Sequence, residues 1–63
     1  MNIFEKLYAA EINIEISSFW DAGFAVRIGD HMNGYKAVTD GLSWREVEPW
    51  LESQARALYP EIM

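Results

Sequence analysis

The chain has 63 residues, no cysteine and a formal net charge of −5. That length makes one domain that buries only about 60% of the surface its unfolded form exposes, and without cysteine neither a disulfide nor a thiolate metal site can reinforce it. The acidic balance disfavours broad contact with nucleic acid or an anionic membrane, and no apolar run approaches the length of a bilayer span.

Packing or association with another chain must therefore supply the stability. Three each of Trp, Tyr and Phe provide large apolar side chains for a core or for the centre of an interface.

Asn2-Ile3-Phe4-Glu5 resembles a capping box, with Asn2 as N-cap and Glu5 at N3. Ile3, Leu7 and Ala10 share one face, and Phe4 and Tyr8 form an i,i+4 pair beside it. This predicts a helix over about 3–10 that must dock to persist. Glu11 is the expected pivot into a strand.

Alternation then takes over. Ile12, Ile14, Ile16, Ser18 and Trp20 are read as the inward set of a strand over about 12–20. Asp21-Ala22-Gly23 reads as a three-residue hairpin loop with Gly23 left-handed. A second strand over about 24–29 turns Phe24, Val26 and Ile28 inward. Asp30 to Gly34 forms the next turn, with Asn33-Gly34 as its signal. A third strand over about 35–39 is expected to place Tyr35 opposite Ile28 and Ala37 opposite Val26, so that Tyr35, Ala37 and Thr39 also face inward. Asp40-Gly41 is expected to end the sheet.

Leu42-Ser43-Trp44-Arg45-Glu46-Val47 is the strongest local signal: Ser43 caps, Glu46 completes the box, and Leu42 can staple onto Val47. A helix over about 44–58 follows, with Trp44, Val47, Leu51, Ala55 and Leu58 within roughly 80° of one another on a helical wheel. Pro49 predicts either a kink or a separate first turn, and Tyr59-Pro60 a stop. The predicted fold is α+β, in the order α-β-β-β-α: a three-stranded antiparallel meander with two helices on one face.

The element order resembles the double-stranded-RNA-binding domain, and the passage from third strand to helix is similar to small antitoxins of the HicB type. Both are resemblances of topology. The first family's Gly-Pro-x-His loop and Lys-Lys-x-Ala-Lys helix start have no counterpart; Ser43-Trp44-Arg45-Glu46-Val47-Glu48-Pro49 stands at the helix start. No functional residue carries over, and topology alone does not assign function.

Residues with chemistry are few. Asp30-His31 alone places an imidazole beside a carboxylate, but a turn tip offers neither a positioned partner nor exclusion of water. Ser43 and Glu46 already serve as caps. No catalytic residue, cofactor or metal is therefore assigned, and no enzymatic activity is expected from one chain. The N-terminus shows no signal-peptide pattern, which makes the cytoplasm the expected compartment. The outward sheet face carries Glu15, Phe19, Arg27, Lys36 and Val38, with Arg27 and Lys36 expected directly opposite each other as a small cationic spot and Phe19 beside Ala25. With Trp50 on the flank of the second helix, these are the candidate partner-binding residues. The expected function is a small acidic protein-interaction or assembly module, self-associating as a homodimer. The alternatives are a nucleic-acid-binding or antitoxin-like regulatory domain, suggested by topology, and a small enzyme whose site forms only at a dimer interface.

Overall fold

Val26 and Ile28, on the middle strand of the sheet, are wholly buried and set the position of everything else. The computed structural model describes residues 2–63. Helix α1 (Ile3–Ala9) leads into strands β1 (Ile14–Phe19), β2 (Gly23–Asp30) and β3 (Gly34–Leu42), then helix α2 (Trp44–Leu58) and a short 3-10 helix (Pro60–Ile62). The sheet order is β1-β2-β3, antiparallel throughout. The class is α+β, in the order α-β-β-β-α, as the hydrophobic pattern predicts. The buried core consists of Ile3 and Leu7 from α1, Val26 and Ile28 from β2, and Val47, Leu51 and Ala55 from α2. It is entirely aliphatic. None of the nine aromatic residues is fully buried.

The helix ends follow from their capping residues. The Asn2 side-chain oxygen accepts from the Glu5 N–H at 2.9 Å. At the far end of α1, Glu11 takes φ 61°, the left-handed position after a helix. The Glu11 N–H donates to the Tyr8 carbonyl at 3.0 Å and the Ile12 N–H to the Leu7 carbonyl at 2.9 Å, the bond pair of a Schellman motif. This turns the chain into β1 with no glycine. In α2, the Ser43 N–H donates to the Glu46 carboxylate at 2.8 Å, closing the reciprocal half of the predicted box. The Ser43 amide and hydroxyl both hold Glu46 below its usual carboxylate range. Pro49 lies within one uninterrupted helix. After Leu58 the 3-10 turn brings Ile62 and Met63 back against the core.

The sheet departs from expectation on β3. That strand runs to Leu42, beyond the predicted end at Thr39, because it contains two irregularities that the alternation does not reveal. Ile28 faces Ala37 while Gly29 faces Tyr35, leaving Lys36 as an extra residue. Phe24 faces Leu42 and Val26 faces Thr39, so Asp40 and Gly41 together oppose Ala25. Gly29 has φ 113°, and a Cβ there would collide with the Gly34 carbonyl oxygen. The expected pairs Ile28–Tyr35 and Val26–Ala37 are corrected to Ile28–Ala37 and Val26–Thr39. The extra residue at Lys36 also moves Tyr35 to the face opposite the helices, so Tyr35 is not a core residue.

Coverage by the helices is also narrower than expected. Helix α2 packs over β2 and β3, and α1 packs against α2. β1 is left at the margin: Ile14 is half-buried, Ile16 is 37% exposed, and Ser18 and Trp20 are exposed. Trp44 and Leu58, expected in the core stripe of α2, are exposed at its two ends. Trp44 instead tilts against Phe24, with ring centroids 5.2 Å apart, a contact worth about 0.5–1.5 kcal/mol beyond its burial.

The left-handed Glu11 yields a stability prediction. A residue with a Cβ gives up about 1–2 kcal/mol in that conformation. Glu11→Gly is expected to be more stable than Glu11→Ala by about 1 kcal/mol, a difference of about 4–8 °C in midpoint for a domain of this size. Thermal unfolding followed by circular dichroism measures it; equal midpoints would remove the strain assigned to this pivot.

Candidate interaction surface

The open face of the sheet is organised around Glu15. Glu15 lies directly opposite Arg27 in the β1–β2 register, with 3.5 Å between carboxylate and guanidinium. The Tyr35 hydroxyl donates to the same carboxylate at 2.9 Å, and the Arg27 guanidinium lies 5.4 Å from the Tyr35 ring centre. Both charged side chains are about half exposed, so the ion pair contributes at most about 1 kcal/mol. The expected Arg27–Lys36 juxtaposition is not formed: Arg27 opposes Val38, and Lys36 is the unpaired residue of the β3 irregularity. A two-cation spot is therefore not assembled. Phe19 is 74% exposed and pairs with Gly23, while Ala25 pairs with Ser17, so Phe19 and Ala25 are diagonal rather than adjacent. Trp50 is partly buried against the core rather than free on the helix flank.

A second surface lies on the other side of β1. Phe4, Tyr8, Ala9, Ile12 and Ile14 line an open groove of about 660 Å³ between α1 and the edge of the sheet. Phe4 also lines a neighbouring groove of about 370 Å³ with Trp44, Val47 and Pro49. Arg45, Glu48 and Glu52 also line this second groove, so only the first lies along β1, and the two meet at Phe4. Tyr8, on the first groove, is 87% exposed, and Trp44, on the second, is also exposed. Trp20, directly after β1, is 95% exposed. Tyr8, Trp20 and Trp44 did not stand out in the sequence as surface residues. Trp20 and Trp44 fall at core parity in their elements, yet one lies just past the end of β1 and the other on the first turn of α2, and both are exposed.

The two edges of the sheet differ. β3 carries two register irregularities, Lys36, Asp40 and two positive-φ glycines, Gly34 and Gly41, all devices that discourage pairing with another chain. β1 is regular from Ile14 to Phe19, contains no Pro, Gly or Lys, and is exposed along nearly its whole length. Among the described residues, no strand lies beyond it.

Asp30 has a structural task. Its carboxylate accepts from the backbone N–H groups of Asn33 at 2.7 Å and Met32 at 2.9 Å, and from the side chains of Asn33 and Asn13. It thereby closes the β2–β3 turn and ties it to the chain entering β1. His31 is exposed on that turn. Among the described residues, no group of three or more His, Cys, Asp and Glu converges as a metal site, and no helix is long and apolar enough to cross a membrane. No family model, curated protein or solved structure matches the chain.

The Asn33 N–H, followed by the Asn13 and Asn33 side chains, lowers the Asp30 pKa from 3.8 to about 2. A depressed carboxylate contributes stability above its unfolded value, and that contribution is lost as pH falls through the folded one. The Asn33 amide resonance is therefore expected to titrate with a midpoint of about 2. Asp30→Asn should lose less stability than the parent chain between pH 3.8 and about 2. A resonance midpoint at 3.8 would show that the turn does not hold the carboxylate.

Proposed function

We propose that this chain is a small protein-interaction module that self-associates through the β1 side of its sheet. The observation that carries the reading is the regular, exposed edge of β1 flanked by an aromatic-lined groove. Strand addition to such an edge supplies main-chain hydrogen bonds, while adjacent apolar pockets supply selectivity. The aliphatic core supports the same reading. Aromatic side chains are favoured at the centres of interfaces, and here they sit at the rim and surface rather than within the fold. A domain of this size without disulfides also gains from a partner the apolar burial its own core lacks. Catalysis forms no part of this proposal: Asp30, Ser43 and Glu46 each have a local structural role.

Sedimentation between about 1 and 100 μM tests the reading, with dimer mass expected within that range, where modest interfaces associate. Each copy carries −5, so screening should favour association, and raising salt from about 50 to 300 mM is expected to tighten it. Monomer mass across the whole range, at both salt concentrations, would sink the proposal.

A further inference from the structure

Building on that self-association, we infer that two copies join β1 to β1, antiparallel, about a two-fold axis at Ile16, and that Trp20 of each copy occupies the groove of the other. The hydrogen-bond parity of β1 carries the argument. The Gly29 N–H donates to the Asn13 carbonyl at 2.7 Å, and Asn13 precedes the paired run from Ile14–Ile28 to Phe19–Gly23. Antiparallel ladders alternate residue by residue, so Glu15, Ser17 and Phe19 also bond towards β2. Ile14, Ile16 and Ser18 therefore direct their N–H and C=O groups away from the sheet.

Symmetric pairing about Ile16 places Ile16 opposite Ile16 and Ile14 opposite Ser18 of the second copy. Each pair brings together residues whose backbone groups point outward, so each forms two hydrogen bonds and the edge is fully satisfied. Shifting the axis to Glu15 sets two carboxylates directly opposite, which is unfavourable. Shifting it to Ser17 draws the ladder out of β1 and onto Trp20. With the axis at Ile16, Glu15 faces Ser17 of the second copy and keeps Arg27 and Tyr35 as its own partners.

The same register sets Trp20 opposite Ile12 of the second copy. Ile12 lines the groove of about 660 Å³, together with Phe4, Tyr8 and Ile14. The most exposed aromatic side chain thus meets the apolar groove beside α1. Trp20 and Tyr8 from both copies, at about 150–250 Å² each, supply at least half of the roughly 1,200 Å² that a stable interface buries.

Single-cysteine variants test the register, because the parent chain has no cysteine. At a hydrogen-bonded antiparallel pair the Cα atoms lie about 5.5 Å apart, within disulfide range. Under mild oxidation Ile16→Cys is expected to give a disulfide dimer. Ile14→Cys and Ser18→Cys are expected to stay uncrosslinked separately and to crosslink when mixed. Trp20→Ala, checked for folding by circular dichroism, should weaken dimerisation by about 30-fold. Dimer mass without the Ile16→Cys crosslink, or with self-crosslinking of Ile14→Cys, overturns this arrangement and leaves self-association standing. Monomer mass of the parent chain overturns both and leaves the edge to a different protein.

Discussion

The contact of Val26 and Ile28 with Leu7, Val47 and Leu51 is the constraint on which the rest of this structure depends. These are the largest fully buried side chains, and they tie the middle strand to both helices at once. Removing a side chain such as Leu51 from such a core costs about 2–5 kcal/mol, a large share of what a domain this size has in total. The helices are placed to protect that contact. Their apolar stripes pack on β2, on β3 and on each other, and leave β1 at the margin. The exposed flank of β1 follows from the length of α1, which has only seven residues.

Much of this was legible in the sequence because it is local. Ser43 and Glu46 cap α2 as their spacing predicts, Asn2 caps α1, and Glu11 makes the turn between helix and strand. The even-numbered residues of β2 are inward because alternation on a central strand is enforced from both sides. What was not legible is the register of β3. An extra residue at Lys36 leaves the chain's composition and turn residues unchanged, yet reverses the face of Tyr35. Gly29 is its sequence trace: only glycine can accept the close approach of Gly34. A glycine inside a strand is a sign of such a feature, but it does not say on which strand the extra residue falls.

The candidate surface was legible in part. Glu15 and Arg27 do meet on the open face, and Phe19 and Val38 are exposed there. The cationic pair of Arg27 and Lys36 depended on the β3 register and is lost with it. Trp20 and Trp44 were hidden by their own periodicity, and Tyr8 by its pairing with Phe4. Hydrophobic pattern reports which side of an element an apolar residue occupies, not whether anything sits against that side. Trp20 has core parity and no core to join.

The contrast between the two sheet edges gives that exposed flank its meaning. An open strand edge is a hazard, and β3 carries several features that blunt it: two irregularities, a lysine and glycines in left-handed conformations. β1 has one charged side chain, Glu15, which is already engaged by Arg27 and Tyr35. A fold that blunts one edge and leaves the other regular, apolar on its helix side and flanked by aromatic rings has an asymmetry that stability alone does not require. Charge at Ser18, which is exposed and pairs with Phe24 rather than with Val26 or Ile28, would protect β1 without touching the buried pair. The neutrality of that position is therefore free of any demand from the core, and this supports the proposed interface along β1.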